Sequence, residues 1–513
     1  MTKLSKALVR SRAEVLDPRG ILDQAMPERV LQFGEGGFLR GFADWMIHRM
    51  NAAGVFGGRV VAVQPIEQGL AGELERQDCL YTLLRRGLSG GKPFTGSEVI
   101  SSISRALNPY GDFAGFLDCA ANPDLRFIIS NTTEAGIARR EGESFDARPP
   151  ASFPAKVTRF LFERWKIFGG NRSRGFIFLP CELIDRNGDN LKKIVFELAR
   201  EWKLGDKFTA WLEEANVFCN TLVDGIMTGY PRDEIEVLQE QAGYEDALYD
   251  TGELFRLWVI EGPESVKEEF PLHRALGAGD EAGCDMQIVW TRDMTPYRTR
   301  KVRILNGAHT MTVMGAYLAG KDTVGECMAD PVISAWMKRA IAAEIIPVLD
   351  LPKNELEQFA DEVLQRFANP YIQHYLLSIA LNSAAKFKAR VLPTIREYCA
   401  AFGKAPRALS WAMAAFIAFY RGTQMREGSL VGRRGGGEYL IKDDADVLEF
   451  FRKLWTSADG NDNARAVRSV LSSPRLWDAG LTELPGFERA VTRSYEAITA
   501  GDVPGSMLDT MKE

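Results

Sequence analysis

Histidine is scarce in this 513-residue chain: His48, His273, His309 and His374 are all it has, and no two stand four apart. A histidine-based metal site is therefore not expected, because helical zinc sites draw on such pairs. The seven cysteines, Cys79, Cys119, Cys181, Cys219, Cys284, Cys327 and Cys399, are scattered and form no C-x-x-C pair. That pattern excludes a zinc ribbon and reads as reduced thiols without a disulfide framework. Basic residues are not in excess: 63 Lys and Arg stand against 69 Asp and Glu, a net charge of −6. A generic nucleic-acid binder would carry the opposite balance. Long apolar runs are missing too. The longest, Trp411 to Tyr420, has ten residues, where a membrane-spanning helix needs about 20. Residues 1–20 lack the apolar core and small-residue cleavage site of a secretion signal, so a cytoplasmic location is expected.

What the chain does have is 46% hydrophobic and 26% charged residues, enough to build folded cores. In the first half, short apolar runs alternate with helical stretches. Residues 29–33, 59–64, 125–130 and 175–179 read as strands, and 42–50 as a helix between the first two. Such alternation predicts a doubly wound parallel sheet with helices on both faces. After about residue 300, long segments carry helical periodicity: 330–348, 354–367, 372–387, 407–421 and 445–455. The expected division is an α/β domain over 1–295 and a mainly α-helical domain over 296–513. Gly432 to Gly437 (GRRGGG) reads as a flexible surface loop within the second.

Directly after the first strand comes VLQFGEGGFLRGF, with Gly34, Gly36 and Gly37 ahead of a helix start near Phe38. A phosphate can approach a backbone closely only where side chains are absent, and a helix start offers N–H groups and a favourable dipole. In a Rossmann-like βαβ unit this points to dinucleotide binding, although a plain tight turn would also use glycine. The second strand runs into Gln64-Pro65-Ile66-Glu67. Glu67 is the nearest acid that could accept from a ribose 2′-hydroxyl, and no arginine cluster awaits a 2′-phosphate. NAD is therefore favoured over NADP; a surface role for Glu67 is the other reading.

The segment from Thr295 to His309 is the most informative. Thr295-Pro296 looks like a helix start. On an α-helix, Asn306 and His309 would project about 140° and 80° from Lys301, so all three can share one side. An amine, an amide and an imidazole could move a proton at a carbonyl or alcohol carbon while a cofactor carries the hydride. A solvated basic helix with one core-facing histidine is the alternative.

Together, Gly34-Glu35-Gly36-Gly37-Phe38-Leu39-Arg40 and Lys301…Asn306…His309 resemble the polyol-specific long-chain dehydrogenase/reductase family, which includes mannitol 2-dehydrogenase and the hexuronate reductases. The resemblance covers nearly the whole chain. It implies NAD as cofactor, bound by Phe33, Gly34, Gly36, Gly37, Phe38 and Arg40, to which the strand-end reading adds Glu67. It also implies metal-independent catalysis by Lys301, Asn306 and His309. Ser130 to Ile137 looks like the family's stretch near the nicotinamide, adding Thr133 and Glu134. Segments 180–188, 219–224, 259–263 and 376–383 look most like the branch that reduces tagaturonate to altronate. Mannitol or arabinitol oxidation and fructuronate reduction are the alternatives.

Cys181-Glu182-Leu183 departs from the family's Cys-Asp-Asn. The role of the missing asparagine is expected to fall to Asn187 or Asn220. A uronate carboxylate needs a cationic partner, for which Arg298, His374, Lys386 and Arg390 are candidates. The family is often monomeric, and the only partner expected is a small-molecule hexuronate or aldonate.

Overall fold

In the computed structural model, which describes residues 1–132, 135–275 and 285–512, the chain divides into two units, Met1–Met294 and Thr295–Glu513. The first contains, in chain order, β1 (Glu28–Phe33), β2 (Arg59–Val63), β3 (Tyr81–Ser89), β4 (Lys92–Ile100), β5 (Ile103–Leu107), β6 (Phe127–Ser130), β7 (Ile177–Pro180) and β8 (Val217–Phe218). Its central sheet has the order β5-β2-β1-β6-β7-β8, with every pair parallel. Strands buried on both faces need apolar residues at every position, which is why these runs are visible in the sequence. Successive residues divide between two cores. Val30, Ala62 and Ile129 enter one, whereas Leu31, Phe33, Val61, Val63 and Ile128 enter the other. This is the period of two that a pleated strand imposes.

Four further strands, β9 (Asn220–Asp224), β10 (Asp250–Gly252), β11 (Phe255–Glu261) and β12 (Asp285–Thr291), build two small sheets around the first. β3 and β4 form an antiparallel hairpin, and β10 lies parallel to β3. β11 stands between β9 and β12, antiparallel to one and parallel to the other.

The second unit is mainly helical, with two departures from expectation. The expected helix over 372–387 is broken into Leu376–Ile379 and Ser383–Arg390, and between them Asn382, at the N-cap of the second piece, adopts a left-handed conformation (φ 52°) that a continuous helix does not allow. The glycine-rich stretch, expected to be a loop, belongs to a small antiparallel sheet of β13 (Met425–Arg426), β14 (Ser429–Arg434) and β15 (Gly437–Ile441). Gly435 and Gly436 make its two-residue turn, both with positive φ, the backbone such a hairpin requires. Among the described residues, no helix is long and apolar enough to cross a membrane.

Candidate active site

Strand order reverses between β1 and β6, and in open parallel sheets ligands bind beyond the strand ends at such a point. Gly34 leaves β1 here with φ 118°, and a Cβ on it would stand 2.7 Å from Asn131 O, so only glycine fits. Gly36 differs. It is exposed, and a Cβ there would meet nothing within 4 Å, so the loop has open room above it. The helix that follows runs from Gly37 to Ala52 in three stretches: Gly37–Leu39, a π-helical turn over Arg40–Asp44, and Trp45–Ala52. Arg40 N is bonded to Gly36 O at 3.2 Å, so the amides of Gly37, Phe38 and Leu39 precede the helical ladder. A bare backbone, open space and a helix start together fit a dinucleotide pyrophosphate.

The other candidates of this loop take different places. The Phe33 ring packs on Phe116 and Phe153, leaving only backbone at the strand end. Phe38 stacks on Phe42. Arg40 is buried and donates to Glu35 O at 2.9 Å, so it braces the loop from within. Glu67 is exposed in the loop after β2, whose carbonyls at Ile66 and Glu67 are held by Gln64 Nε2. Glu35 reaches across to accept from Leu70 N at 2.9 Å, and burial pushes its carboxyl above the usual range. Thr133 and Glu134 lie outside the described residues.

On the β6 side, Glu182 stands out in the sequence only as a departure, yet it organises the loop. Buried beyond β7, it accepts from Ser130 Oγ, Thr132 N and Thr132 Oγ1, each at 3.0 Å. Leu183, its neighbour, is exposed. The two asparagines expected to substitute there are already committed. Asn187 is fully buried; its Nδ2 donates to Pro180 O, Glu182 O and Thr221 O, and its Oδ1 accepts from Gly188 N and Thr221 N. Asn220 accepts from Asp189 N and donates to Asp189 and Glu261 carboxylates. An amide has two hydrogens to give. In this arrangement neither asparagine has one left for a substrate; both clasp the chain where β7 and β9 meet.

In the second unit, the segment singled out in the sequence is not a plain α-helix. Lys301–Asn306 forms a π-helical turn between Thr295–Arg300 and Gly307–Leu318. Its ladder closes between residues five apart, so Asn306 comes nearly over Lys301 rather than well around the cylinder. Arg303, pointing elsewhere, anchors the turn through a two-pronged bond to Glu397 (3.0 and 2.8 Å) and one to Thr394. Lys301, Asn306 and His309 are all partly exposed. The Asn306 Oδ1 atom is buried and has no hydrogen-bond partner among the described residues.

The His309 ring stacks on Phe367 at 3.9 Å and meets the His374 ring edge-on at 5.2 Å. The fold thus brings His374 to the catalytic candidates. Burial lowers its pKa, so near neutral pH it is an uncharged hydrogen-bonding ring and not a standing cation. Lys386 and Arg390 lie on Ser383–Arg390, whose last carbonyl would stand 3.3 Å from a Cβ on Gly307. Lys386 Nζ donates to Ile379 O, and burial followed by the nearby Arg390 lowers its pKa. Arg390 is half-buried. It has no carboxylate partner among the described residues. Arg298 is exposed.

Residues 28–274 match the mannitol dehydrogenase Rossmann domain, and residues 293–499 the mannitol dehydrogenase C-terminal domain. An altronate oxidoreductase of Cronobacter sakazakii is 46% identical over 488 residues, 94% of this chain and 97% of that one. One of Escherichia coli O6:K15:H31 is 45% identical over the same shares. Among solved structures, a substrate-free D-sorbitol dehydrogenase superposes with a TM-score of 0.79 at 21% identity, covering 99% of this chain and 100% of that one. The Pseudomonas fluorescens mannitol 2-dehydrogenase complex with NAD and D-mannitol gives 0.65 at 22%, with both chains fully covered. At those identities the structures establish the fold, and the sequence matches do the rest: this chain belongs to the mannitol dehydrogenase family.

Proposed function

We propose that this protein reduces the ketone of an open-chain keto-uronate to the corresponding aldonate, with tagaturonate giving altronate. It is an oxidoreductase acting on a CH–OH group, and NAD is its cofactor. The observation that carries the finer reading is the π-helical turn, which sets Asn306 over Lys301 and leaves Asn306 Oδ1 without a partner among the described residues. The altronate oxidoreductases that this chain matches at 45–46% identity supply the substrate class.

The reaction adds one hydride to the keto carbon and one proton to its oxygen. Bound NADH supplies the hydride. The proton comes from the Lys301 ammonium, which donates to the carbonyl oxygen as charge builds there. Asn306 Nδ2 and the His309 imidazole donate to the same oxygen and fix its direction; donors already aimed at a developing oxyanion lower the barrier strongly, because they need no reorganisation as the charge forms. Stacking on Phe367 holds the His309 ring plane. Arg390, a half-buried cation with no acidic partner among the described residues, takes the substrate carboxylate, with Lys386 beside it.

A substrate panel tests this. With NADH, tagaturonate is consumed faster than fructuronate, and fructose barely at all, as loss of NADH absorbance. Faster turnover of fructuronate moves the protein to the other uronate, and preference for fructose makes it a neutral-polyol enzyme. Arg390→Met raises the tagaturonate KM about tenfold to a hundredfold, the worth of one charged hydrogen-bonded contact, with a smaller effect on kcat. An unchanged KM removes Arg390 from the site.

A further inference from the structure

Both carbonyls at the head of the glycine loop are gripped from inside the first unit. Gln32 Nε2 donates to Gly34 O at 3.0 Å and to Asp44 Oδ2 at 3.0 Å. Arg40 Nη1 donates to Glu35 O at 2.9 Å, and its Nη2 stands 3.8 Å from Asp250 Oδ2. The four residues come from β1, the π-helical turn and β10, and none is more than 4% exposed. Tyr81 OH adds a bond to Arg40 O at 2.7 Å, fixing the turn itself.

As a stabilising device this cluster is poor. Burying two carboxyls, an amide and a guanidinium is costly unless every polar atom is satisfied. Among the described residues, Gln32 Oε1, Arg40 Nε, Asp44 Oδ1 and Asp250 Oδ2 have no hydrogen-bond partner. Apolar side chains of similar size would pack the same space at less cost. What they could not do is hold carbonyls. In a trans peptide the C=O and the following N–H point to opposite sides. Drawing Glu35 O inward therefore turns the Gly36 N–H outward, at the exposed residue with open space above it. A flipped peptide would instead aim a carbonyl dipole at any anion placed there.

We propose that Gln32 and Arg40 are positioning residues for the cofactor's pyrophosphate. They hold the loop carbonyls away from the phosphate oxygens and the Gly36 amide toward them, and Asp44 and Asp250 hold those two side chains in place. This rests on the pyrophosphate sitting at the glycine loop, and the experiment separates the two ideas. The probes are ADP-ribose, which carries the pyrophosphate without nicotinamide, and adenosine, which carries no phosphate; binding is measured by calorimetry or by competition.

Gln32→Met and Arg40→Lys each weaken ADP-ribose binding about tenfold, as expected for a lost orienting hydrogen bond, while adenosine binding changes less than about twofold. Asp44→Leu behaves like Gln32→Met. Asp44→Asn, which keeps an oxygen for Gln32, recovers most of the affinity. Folded Gln32→Met or Arg40→Lys protein that binds ADP-ribose within about twofold of the parent overturns the proposal. Equal losses for ADP-ribose and adenosine overturn it as well, since they mark a general structural defect. Gly36→Leu is the control: if it leaves ADP-ribose binding intact, the siting of the pyrophosphate fails, not the gripping of the carbonyls.

Discussion

The two units each carry a π-helical turn at the point that matters, Arg40–Asp44 in one and Lys301–Asn306 in the other, and they use it in opposite senses. The first turn points its charged side chains inward. Arg40 and Asp44 are buried; Arg40 bonds the Glu35 carbonyl, and Asp44 bonds the Gln32 side chain that holds the Gly34 carbonyl. The second leaves Lys301 and Asn306 partly exposed, with an amide oxygen that has no hydrogen-bond partner among the described residues, while Arg303 anchors the turn. On the readings proposed above, one device shapes a main-chain cradle and the other displays reactive groups. Such turns are rare and concentrate at functional sites, and the contrast says why: a wider turn changes which residues share a face without ending the helix.

Variants can break or sharpen this contrast. The largest effect is expected from Lys301→Ala, which lowers kcat by about three orders of magnitude or more, the upper range for a general acid, with NADH affinity unchanged by fluorescence titration. Turnover near the parental rate would erase the distinction between the units. Next comes Asn306→Leu, which on the proposed mechanism removes an oxyanion donor and costs about 100- to 1,000-fold in kcat, with little change in thermal stability because its Oδ1 has no partner among the described residues. A large drop in melting temperature would make it structural, like Arg303. The smallest effect concerns Asp44. Burial, opposed by Gln32 and Arg40, pushes its pKa from the ordinary 3.8 up to about 7. Over that interval the folded protein retains a proton that the unfolded chain has released, so folding stability falls as pH rises from about 4 toward 7. Asp44→Asn lacks that loss, and its melting temperature relative to the parent rises between pH 5 and pH 8. A pH-independent difference would mean that Asp44 is ionised throughout.

The sheet is legible because strands buried on both faces leave continuous apolar runs, as at residues 29–33 and 59–64. The β3–β4 hairpin is less so, since β4 is half solvated and carries Lys92, Thr95 and Glu98 among its apolar positions. The hairpin around Gly435-Gly436 does carry a signal, two glycines between Leu430-Val431 and Tyr439-Leu440-Ile441, which a loop reading overlooks. Spacing and resemblance nominate Lys301, Asn306 and His309, but the angles drawn from a regular α-helix do not describe their turn. No residue signature marks a π-helical insertion. Gln32, Asp44 and Asp250 are illegible for another reason: their meaning lies in contacts reaching from β1 to β10, across more than 200 residues. Asn187 and Asn220 show the converse, residue types suited to a substrate but consumed by the backbone around them.

The turn at Lys301–Asn306 also has a hereditary consequence. A π-helical turn amounts to an α-helix bearing one surplus residue. Losing one codon between Lys301 and Asn306 would restore the ordinary ladder and place the histidine seven residues from the lysine, about 20° around the cylinder, so the shared face would survive; tightening the turn with every residue kept would instead swing everything downstream by about 100°. The eight-residue spacing of lysine and histidine is thus matched to the wider turn, and a one-residue deletion would trade that turn for a plain helix while keeping both on one side.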